Sequence, residues 1–300
     1  MSGPVLVTGA AGFVGGYLLA ELGERAVAAR ADVTDAADVG RELGEVEPDA
    51  VVHLAAFSSV AGSWESPVEV WRVNALGTVA LLEAVREERP SARVLVVSTG
   101  EVYGRAEVLP TPEEEPIRPL SPYSASKAAA ELACERARRA DGLDVVVARA
   151  FPHVGPGQDE RFAVASWAGQ LARLKAQGGG TLAVGDLSIE RDLTDVRDVV
   201  RAYRLLLEPS VEAGTYNVAS GRTVRLAEVV ETLVGLTGCP VTVEVDEARL
   251  RPADIPILCG DATRLREATE WSPTIPLAQT LADTLSAARA SLGAEESART

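Results

Sequence analysis

The sequence is poor in the residues that build metal sites and disulfides. Its 300 residues include only two histidines and three cysteines. The cysteines (Cys134, Cys239 and Cys259) are far apart and odd in number, so they fit neither a disulfide framework nor a zinc site. We therefore expect a protein without a bound metal, and a chain of this length buries enough surface to fold without cross-links.

Basic charge and long apolar runs are also scarce. The 44 acidic and 29 basic residues give a formal net charge of −15, which disfavours binding to nucleic acid or to an anionic membrane. Apolar stretches stay shorter than the roughly 18 residues that a membrane-spanning helix needs, and the start of the chain does not resemble a signal peptide. We expect a cytoplasmic protein. Only Lys127 and Lys175 are lysines, which makes a lysine at a functional spacing informative.

Short apolar runs alternate with helical patterns through the first half of the chain. The predicted strands there are 5–8, 26–30, 50–54, 93–98 and 145–150. The predicted helices there are 14–22, 36–43, 68–88 and 123–140. Continuous apolar strands separated by helices are typical of a parallel sheet covered on both faces.

The second half is less regular, with predicted helices at 164–176, 196–207, 226–236 and 277–290 and strands at 181–184 and 215–218. We expect an α/β fold: a Rossmann-type doubly wound parallel sheet with a smaller, interleaved C-terminal α/β domain. Residues 1–154, with 190–220 returning to them, are predicted to form the first domain. The second domain is predicted to comprise 155–189 and 221–300.

A glycine-rich turn joins the first strand to the first helix in the sequence VLVTGAAGFVG. Gly9 permits a tight turn, Gly12 allows the backbone to approach a pyrophosphate, and Gly15 allows the helix to pack closely on the strand. The helix N-terminus then attracts the anion. The turn predicts a dinucleotide site.

The second predicted strand ends in an arginine. A carboxylate at this position would bind the ribose diol of the cofactor and so favour NAD. Arg30 can instead pair with a 2′-phosphate, so we expect NADP(H) to be preferred, with NAD(H) as the alternative. Asp32 is placed to accept a hydrogen bond from the adenine amino group.

Tyr123 and Lys127 lie four residues apart near the start of a predicted helix and therefore share one face of it. A tyrosine titrates near pH 10, and an adjacent ammonium stabilises its phenolate, so Lys127 is predicted to lower the Tyr123 pKa. Thr99 ends a parallel strand, at the edge where ligands of such sheets bind. These residues predict proton transfer to a substrate oxygen that Thr99 orients.

The segments TGAAGFVG, STGEVYG and YSASK together resemble the extended short-chain dehydrogenase/reductase family. Further segments are similar to one branch, the GDP-4-keto-6-deoxy-D-mannose reductases and GDP-mannose 4,6-dehydratases: HLAA at 53, SSVAGSW at 58, RDLTDV at 191, YNVASG at 216 and LRPADIP at 250. The resemblance covers residues from about 4 to 290. It implies that Thr99, Tyr123 and Lys127 are catalytic and that the second domain binds a nucleotide sugar.

The resemblance also implies a wider set of site residues. The cofactor-binding positions are Gly9, Gly12, Phe13, Val14, Gly15, Arg30, Asp32, Val33, Leu54, Ala55, Ala56, Tyr123, Lys127 and His153. The substrate-binding positions are Ser58, Ser59, Ser63, Arg191 and Arg251, the two arginines facing the diphosphate unless they pair with Asp192 or Asp254. A homodimer through helices 68–88 and 123–140 is expected.

The chain departs from the family pattern after the fifth strand, where Phe151-Pro152-His153 stands in place of Phe-Asn-His. Proline has neither a side-chain amide nor a backbone N–H, so a polar contact to the sugar is lost. The sugar or its stereochemistry is therefore expected to differ from that of the best-known reductases.

The expected activity is reduction of the C4 ketone of an NDP-4-keto-6-deoxyhexose, such as GDP-4-keto-6-deoxy-D-mannose to GDP-D-rhamnose. A 4,6-dehydratase is the alternative, with Glu101 as the base for the C5 proton, although the compact 29–45 segment and the 58–64 loop favour the reductase. A TDP-4-keto-6-deoxyhexose reductase also fits the residues, and so does a nicotinamide-sensing binding protein.

Overall fold

The computed structural model describes residues 3–250 and 254–299, with side chains described as far as residue 294. The strands are Val5–Thr8 (β1), Ala26–Ala28 (β2), Ala50–His53 (β3), Arg93–Thr99 (β4), Val145–Ala150 (β5), His153–Val154 (β6), Gly180–Val184 (β7), Glu190–Arg191 (β8), Thr194–Asp195 (β9), Thr215–Val218 (β10), Val224–Arg225 (β11), Val241–Val245 (β12) and Ile257–Leu258 (β13). The helices are Phe13–Leu22 (α1), Ala36–Val46 (α2), Val60–Glu65 (α3), Pro67–Trp71 (α4), Gly77–Glu88 (α5), Pro122–Arg136 (α6), Ala163–Gln177 (α7), Val196–Leu206 (α8), Leu226–Thr237 (α9), Thr263–Thr269 (α10) and Leu277–Arg299 (α11).

Six strands form one parallel sheet in the order β10-β5-β4-β3-β1-β2. All residues of β1, β3 and β5 are buried. Strands that are apolar on both faces are stable only when helices cover both sides of the sheet. The predicted Rossmann-type sheet is confirmed.

Two apolar cores lie on opposite faces of this sheet. One contains Leu18 of α1 and Leu206 of α8. The other contains Leu43 of α2, Leu81 of α5 and Cys134 of α6. The sheet is therefore doubly wound, and α6 is held against it by its buried face.

A third core lies apart from the sheet and is built by α7, α9, α11 and β7. Trp167, Leu171, Leu182, Leu233 and Leu281 are buried in it. Within the predicted returning segment, β10 pairs with β5 in the large sheet, whereas β8 pairs with β11 and β13 outside it. The predicted domain boundaries stay a prediction, since the pairing of β10 agrees with them and that of β8 does not.

The predicted helix 68–88 is divided by a π-helical turn at Arg72–Leu76 between α4 and α5. In this turn the Asn74 side chain accepts a hydrogen bond from the Phe57 N–H (2.7 Å) and donates one to the Phe57 carbonyl (3.1 Å). Such turns often occur at functional sites. The predicted helix 123–140 likewise passes from α6 into a π-helical turn at Ala137–Asp141. In the described part of the chain, every helix is too short or too polar to cross a bilayer.

Candidate active site

A cleft of about 950 Å³ opens at the carboxyl ends of β1, β3, β4 and β5, facing the third core. Ligands of open parallel sheets bind at this edge. Most of the predicted site residues lie on its wall: Gly9, Gly12, Phe13, Val14, Gly15, Leu54, Ala55, Ala56, Ser58, Ser59, Thr99, Glu101, Tyr123, Lys127, His153 and Arg191. The fold therefore brings together predicted site residues that are up to 182 positions apart in the chain, as Gly9 and Arg191 illustrate.

The glycine turn has the tight geometry that a pyrophosphate site requires. Gly9 has a φ of +68°, and a Cβ there would lie 2.6 Å from the Ala55 nitrogen. A Cβ on Gly15 would lie 2.4 Å from the Ala10 carbonyl oxygen. Because the N-cap residue of α1 is Gly12, no side chain competes for the first N–H groups of the helix.

Tyr123 stands in the first turn of α6, whose start is fixed by a capping box between Ser121 and Ser124. Its side chain lines the cleft together with that of Thr99. Desolvation and, secondarily, the charge of Glu101 raise the pKa of Tyr123 above its ordinary value. The predicted net lowering of this pKa is wrong, because burial sets the direction of the change.

Lys127 lies one turn further along α6 and is buried. Its Nζ donates a hydrogen bond to the Val97 carbonyl oxygen at 2.8 Å, which directs the ammonium to the end of β4. Burial lowers the pKa of Lys127 to about 8. The amine therefore stays mostly charged at neutral pH but titrates within reach of ordinary assay conditions.

Thr99 and Glu101 come from the end of β4 and the 3-10 turn that follows it. The Thr99 hydroxyl oxygen accepts a hydrogen bond from the Glu101 N–H at 3.2 Å, which fixes the threonine side chain towards the cleft. Glu101 also lines the cleft. The geometry thus places a carboxylate near the Tyr123 phenol, as the dehydratase alternative requires.

Pro152 and His153 lie on the wall next to the glycine turn. The His153 ring is parallel to that of Phe13, with centroids 6.4 Å apart, and its Nδ1 lies 3.1 Å from the Phe151 carbonyl oxygen. Burial lowers the pKa of His153, so the ring is neutral at pH 7. The part of the wall that His153 and Phe13 form is accordingly uncharged.

Arg30, Asp32 and Val33 lie beyond the end of β2, outside the wall of the cleft. The Arg30 side chain is 82% exposed, with its Nε 3.6 Å from Glu42. Asp32 accepts hydrogen bonds from the N–H and hydroxyl of Thr34. Their predicted cofactor contacts stay predictions, and Val33 is a buried packing residue.

The serine loop is only partly on the cleft wall. Ser58 and Ser59 lie on the wall, and the Ser59 hydroxyl also caps α3 by accepting from the Gly62 N–H. Ser63 is fully buried and donates to the Val60 carbonyl oxygen at 2.6 Å. This position contradicts the prediction that Ser63 contacts the sugar, because its hydroxyl is used within its own helix.

Arg191 lines the cleft but is committed to protein groups. Its guanidinium donates to the carbonyl oxygens of Glu190 (2.8 Å) and Ile255 (2.7 Å) and to Asp254 (2.5 Å). The predicted pairing with Asp254 thus occurs, in a buried rather than a surface setting. Arg251 lies outside the described residues.

Several residues of the cleft were missed by the sequence analysis. Arg249 is exposed on the cleft wall and pairs with Asp246 at 3.2 Å, and Arg161 and Glu160 lie nearby on the same wall. Asn74 was also missed, although it donates to Ser126 (2.9 Å), whose hydroxyl donates to the Tyr123 carbonyl. A lone arginine or asparagine carries little sequence signal, since its role depends on distant chain segments.

Comparison with known proteins agrees with this geometry. The family model for GDP-mannose 4,6 dehydratase matches residues 20–284. The GDP-6-deoxy-D-mannose reductase of Pseudomonas aeruginosa is 37% identical over 297 residues, covering 95% of this chain and 97% of the reductase. The UDP-glucose 4-epimerase of Mycolicibacterium smegmatis is 33% identical, covering 93% of this chain and 96% of the epimerase.

Solved structures extend the likeness to three dimensions. The structure of RMD from Pseudomonas aeruginosa complexed with NADPH superposes with a TM-score of 0.88 at 36% identity, over 97% of this chain and 100% of the other. Together with the family match, these likenesses cover nearly the whole sequence. The chain is therefore an enzyme of the extended short-chain dehydrogenase/reductase family and belongs to its GDP-mannose 4,6-dehydratase-like branch.

Proposed function

We propose that the enzyme uses NADPH to reduce the C4 ketone of an NDP-4-keto-6-deoxyhexose, with GDP-4-keto-6-deoxy-D-mannose as the preferred substrate and GDP-D-rhamnose or a close relative as the product. The observation that carries the proposal is that Tyr123 and Thr99 line the same cleft beside the buried ammonium of Lys127. Likeness over nearly the whole chain to a GDP-6-deoxy-D-mannose reductase supports the substrate class.

The glycine turn fits a dinucleotide. The spaces at Gly9 and Gly15, which a Cβ would fill, leave backbone N–H groups at the start of α1 open to a pyrophosphate. Likeness to an NADPH complex supports NADPH, with NADH as the alternative because related structures carry NAD. Tyr123 and Lys127 hold the nicotinamide ribose, and Arg30 pairs with the 2′-phosphate.

The chain's own residues supply the proton chemistry. When bound, the reduced nicotinamide supplies a hydride to C4. The Tyr123 hydroxyl donates its proton to the C4 oxygen, because its raised pKa keeps it protonated until an alkoxide forms. Thr99 holds the same oxygen, and the Lys127 ammonium stabilises the phenolate that remains. The products are an alcohol and the oxidised cofactor.

Replacement of the proton donor tests this assignment. Tyr123→Phe should lower the rate of NADPH oxidation by a factor of about 10² to 10⁴, because general acid catalysis contributes that much, while NADPH affinity stays unchanged. The assay uses a panel of GDP- and TDP-4-keto-6-deoxyhexoses. Tyr216→Phe is the matched control, since the Tyr216 hydroxyl contacts the Glu212 carbonyl away from the cleft. Equal rates for the two variants would refute the role of Tyr123.

Glu101 supports a second candidate, a nucleotide-sugar 4,6-dehydratase. Its carboxylate lines the same cleft as Tyr123, where a base for the C5 proton is needed, and its charge raises the Tyr123 pKa. Incubation with GDP-mannose and oxidised cofactor distinguishes the two reactions, because only a dehydratase releases a 4-keto-6-deoxy product. Tight cofactor binding without turnover of any sugar would instead favour the nicotinamide-sensing alternative.

We also infer that the enzyme is a homodimer that pairs the α4–α5 and α6 surfaces of two copies. Apolar side chains are exposed on these helices: Val68 at 83%, Leu76 at 62% and Leu132 at 71%. Light scattering at micromolar concentration should give twice the monomer mass, and Leu132→Asp should give the monomer mass because a charge disrupts an apolar interface. Leu236→Asp, at a half-exposed leucine of α9, should leave the dimer intact. A monomer in the unaltered protein would refute this arrangement.

A further inference from the structure

A buried ion pair lies behind the catalytic residues and has no part in the mechanism described so far. Glu131 of α6 and Arg149 of β5 have side chains only 7% and 8% exposed. Arg149 Nη2 donates to Glu131 at 2.7 Å, and its Nε donates to both carboxylate oxygens at 3.1 Å. Burial of two charges costs much of the energy that their attraction returns, so such a pair is a poor source of stability.

Glu131 also contacts the strand that carries Thr99. Its carboxylate accepts a hydrogen bond from the Ser98 hydroxyl, and Ser98 is the register partner of Arg149 in the neighbouring strand. One carboxylate thus joins α6 to the last residues of both β4 and β5. Because Tyr123 lies about two turns before Glu131 on the same helix, this junction sets the position of the phenol relative to Thr99.

Arg149 connects the same junction to the edge of the sheet. Its Nη1 donates to the Tyr103 hydroxyl (2.8 Å) and to the Glu113 carbonyl (3.0 Å). Tyr103 in turn donates to Asn217 of β10 at 2.8 Å. The Glu131 carboxylate is therefore contacted from two strands, β4 and β5, and its partner Arg149 is held in turn by Tyr103 and Glu113.

Glu131 is one turn beyond Lys127, so its charge acts on the buried ammonium. Burial lowers the pKa of Lys127 to about 8, and the charges of Cys134 and Glu131 oppose that change. Burial raises the pKa of Cys134 to about 12, so its thiol is neutral near pH 8. His53 faces Lys127 from β3 and is also neutral, with a pKa lowered to about 3 by burial and by the Lys127 charge. Glu131 is therefore the group that opposes deprotonation of Lys127 at neutral pH.

We propose that Glu131 is a positioning residue for the Tyr123–Lys127 pair: held by Arg149 and Ser98, its carboxylate fixes α6 against the end of β4 and keeps the Lys127 amine charged. The proposal rests on the reductase function proposed above and adds a residue that acts on catalysis through Lys127. It predicts a titration effect that a purely structural ion pair would not produce.

Lysine scarcity makes the titration of Lys127 directly measurable. Protein labelled with ¹³C at the lysine Cε carries label only in Lys127 and Lys175, and Lys175→Arg assigns the two NMR signals. Glu131→Gln should lower the Lys127 midpoint by about one pH unit, because a neighbouring charge is lost. Glu135→Gln is the matched control: it is one turn further along α6 and pairs at the surface with Arg138 and Arg139, so it should leave the midpoint unchanged. Equal midpoints in the two variants would overturn the proposal.

The pH dependence of turnover gives a second readout. Lys127 is active as the ammonium, so kcat/KM should fall as the pH rises through about 8, and Glu131→Gln should move this fall to lower pH. At pH 8 a shift of one unit reduces the charged fraction about five-fold. Glu131→Asp retains the charge and should restore the alkaline limb even where kcat stays low. Loss of stability with an unchanged alkaline limb in Glu131→Gln would show a structural role only.

Glu131→Gln leaves Arg149 buried without its counter-charge, which endangers folding. The double variant Glu131→Gln, Arg149→Met removes both charges and is read by the same NMR titration. The Lys127 midpoint should again fall, but by less than in Glu131→Gln, because loss of the Arg149 charge favours the ammonium. A folded double variant with the Lys127 midpoint still near 8 would overturn the proposal. Failure of the unaltered enzyme to oxidise NADPH counts against the reductase function, whereas the NMR midpoint judges the role of Glu131 independently.

Discussion

The cofactor end of the cleft is lined mainly by backbone, whereas the substrate end is lined mainly by side chains. At the cofactor end the wall is largely backbone: Gly9 and Gly15 approach neighbouring main-chain atoms so closely that side chains would collide. At the substrate end the wall consists of side chains such as Arg191 of β8, Arg249 of the 3-10 turn after β12, and Asp254 before β13.

This difference decides which substitutions each end of the cleft tolerates. A backbone site is defined by space, so one added methyl group changes it, whereas a side-chain site depends on which hydrogen bonds its donors already make. Arg191 already donates to two carbonyl oxygens and to Asp254, whereas Arg249 lies more openly beside Asp246. We therefore expect a loss of binding to come from steric change at one end and from loss of charge at the other.

The largest effect is expected at the glycine turn. Gly15→Ala places a Cβ 2.4 Å from the Ala10 carbonyl oxygen, so α1 must move away from the turn; we expect loss of NADPH binding and about 1–3 kcal/mol of stability. Gly16→Ala is the control, because open space surrounds its Cβ position and alanine favours the helix by about 0.5–1 kcal/mol. Fluorescence titration with NADPH and chemical denaturation measure both effects. Normal NADPH affinity in Gly15→Ala would show that the turn does not hold the cofactor.

An intermediate effect is expected at the substrate end, where substitutions of two arginines should have different consequences. Arg191→Gln leaves buried carbonyl oxygens and Asp254 with fewer donors, so the free energy of unfolding should fall by about 1–3 kcal/mol. Arg249→Gln should raise KM for the nucleotide sugar several-fold and leave stability unchanged, because the side chain is exposed on the wall. Denaturation curves and KM values are measured for both variants. An unchanged KM in Arg249→Gln would remove this residue from the substrate site.

The same contrast explains what the sequence could predict. The sheet follows from continuous apolar strands such as 145–150, and the glycine turn follows from residue types that only a tight backbone requires. Tyr123, Lys127 and Thr99 could be placed because a helical spacing and a strand end define their positions.

The remaining features depend on contacts between distant segments. The sequence predicted that Ser63 contacts the sugar, but its hydroxyl donates a hydrogen bond within its own helix. It also predicted a lowered Tyr123 pKa from the spacing of Lys127, whereas burial, which spacing does not reveal, raises it. Arg249 was missed because only the folded chain places it on the cleft wall, and the Glu131–Arg149 pair because its two members lie in different elements.

The smallest effect is expected at the outer edge of the cofactor end, where a side chain and not the backbone selects the ligand. Arg30→Ala should lower the ratio of kcat/KM for NADPH to that for NADH about ten-fold, because a charge-assisted contact to phosphate is worth about 1.5 kcal/mol in an exposed position. Glu45→Gln should raise the ratio slightly, since it removes a carboxylate 3.9 Å from the Arg30 guanidinium. Arg41→Ala, which removes an exposed arginine paired with Asp38, should leave the ratio unchanged. If Arg30→Ala behaves like Arg41→Ala, the 2′-phosphate is recognised elsewhere, and the cofactor end depends on backbone geometry alone.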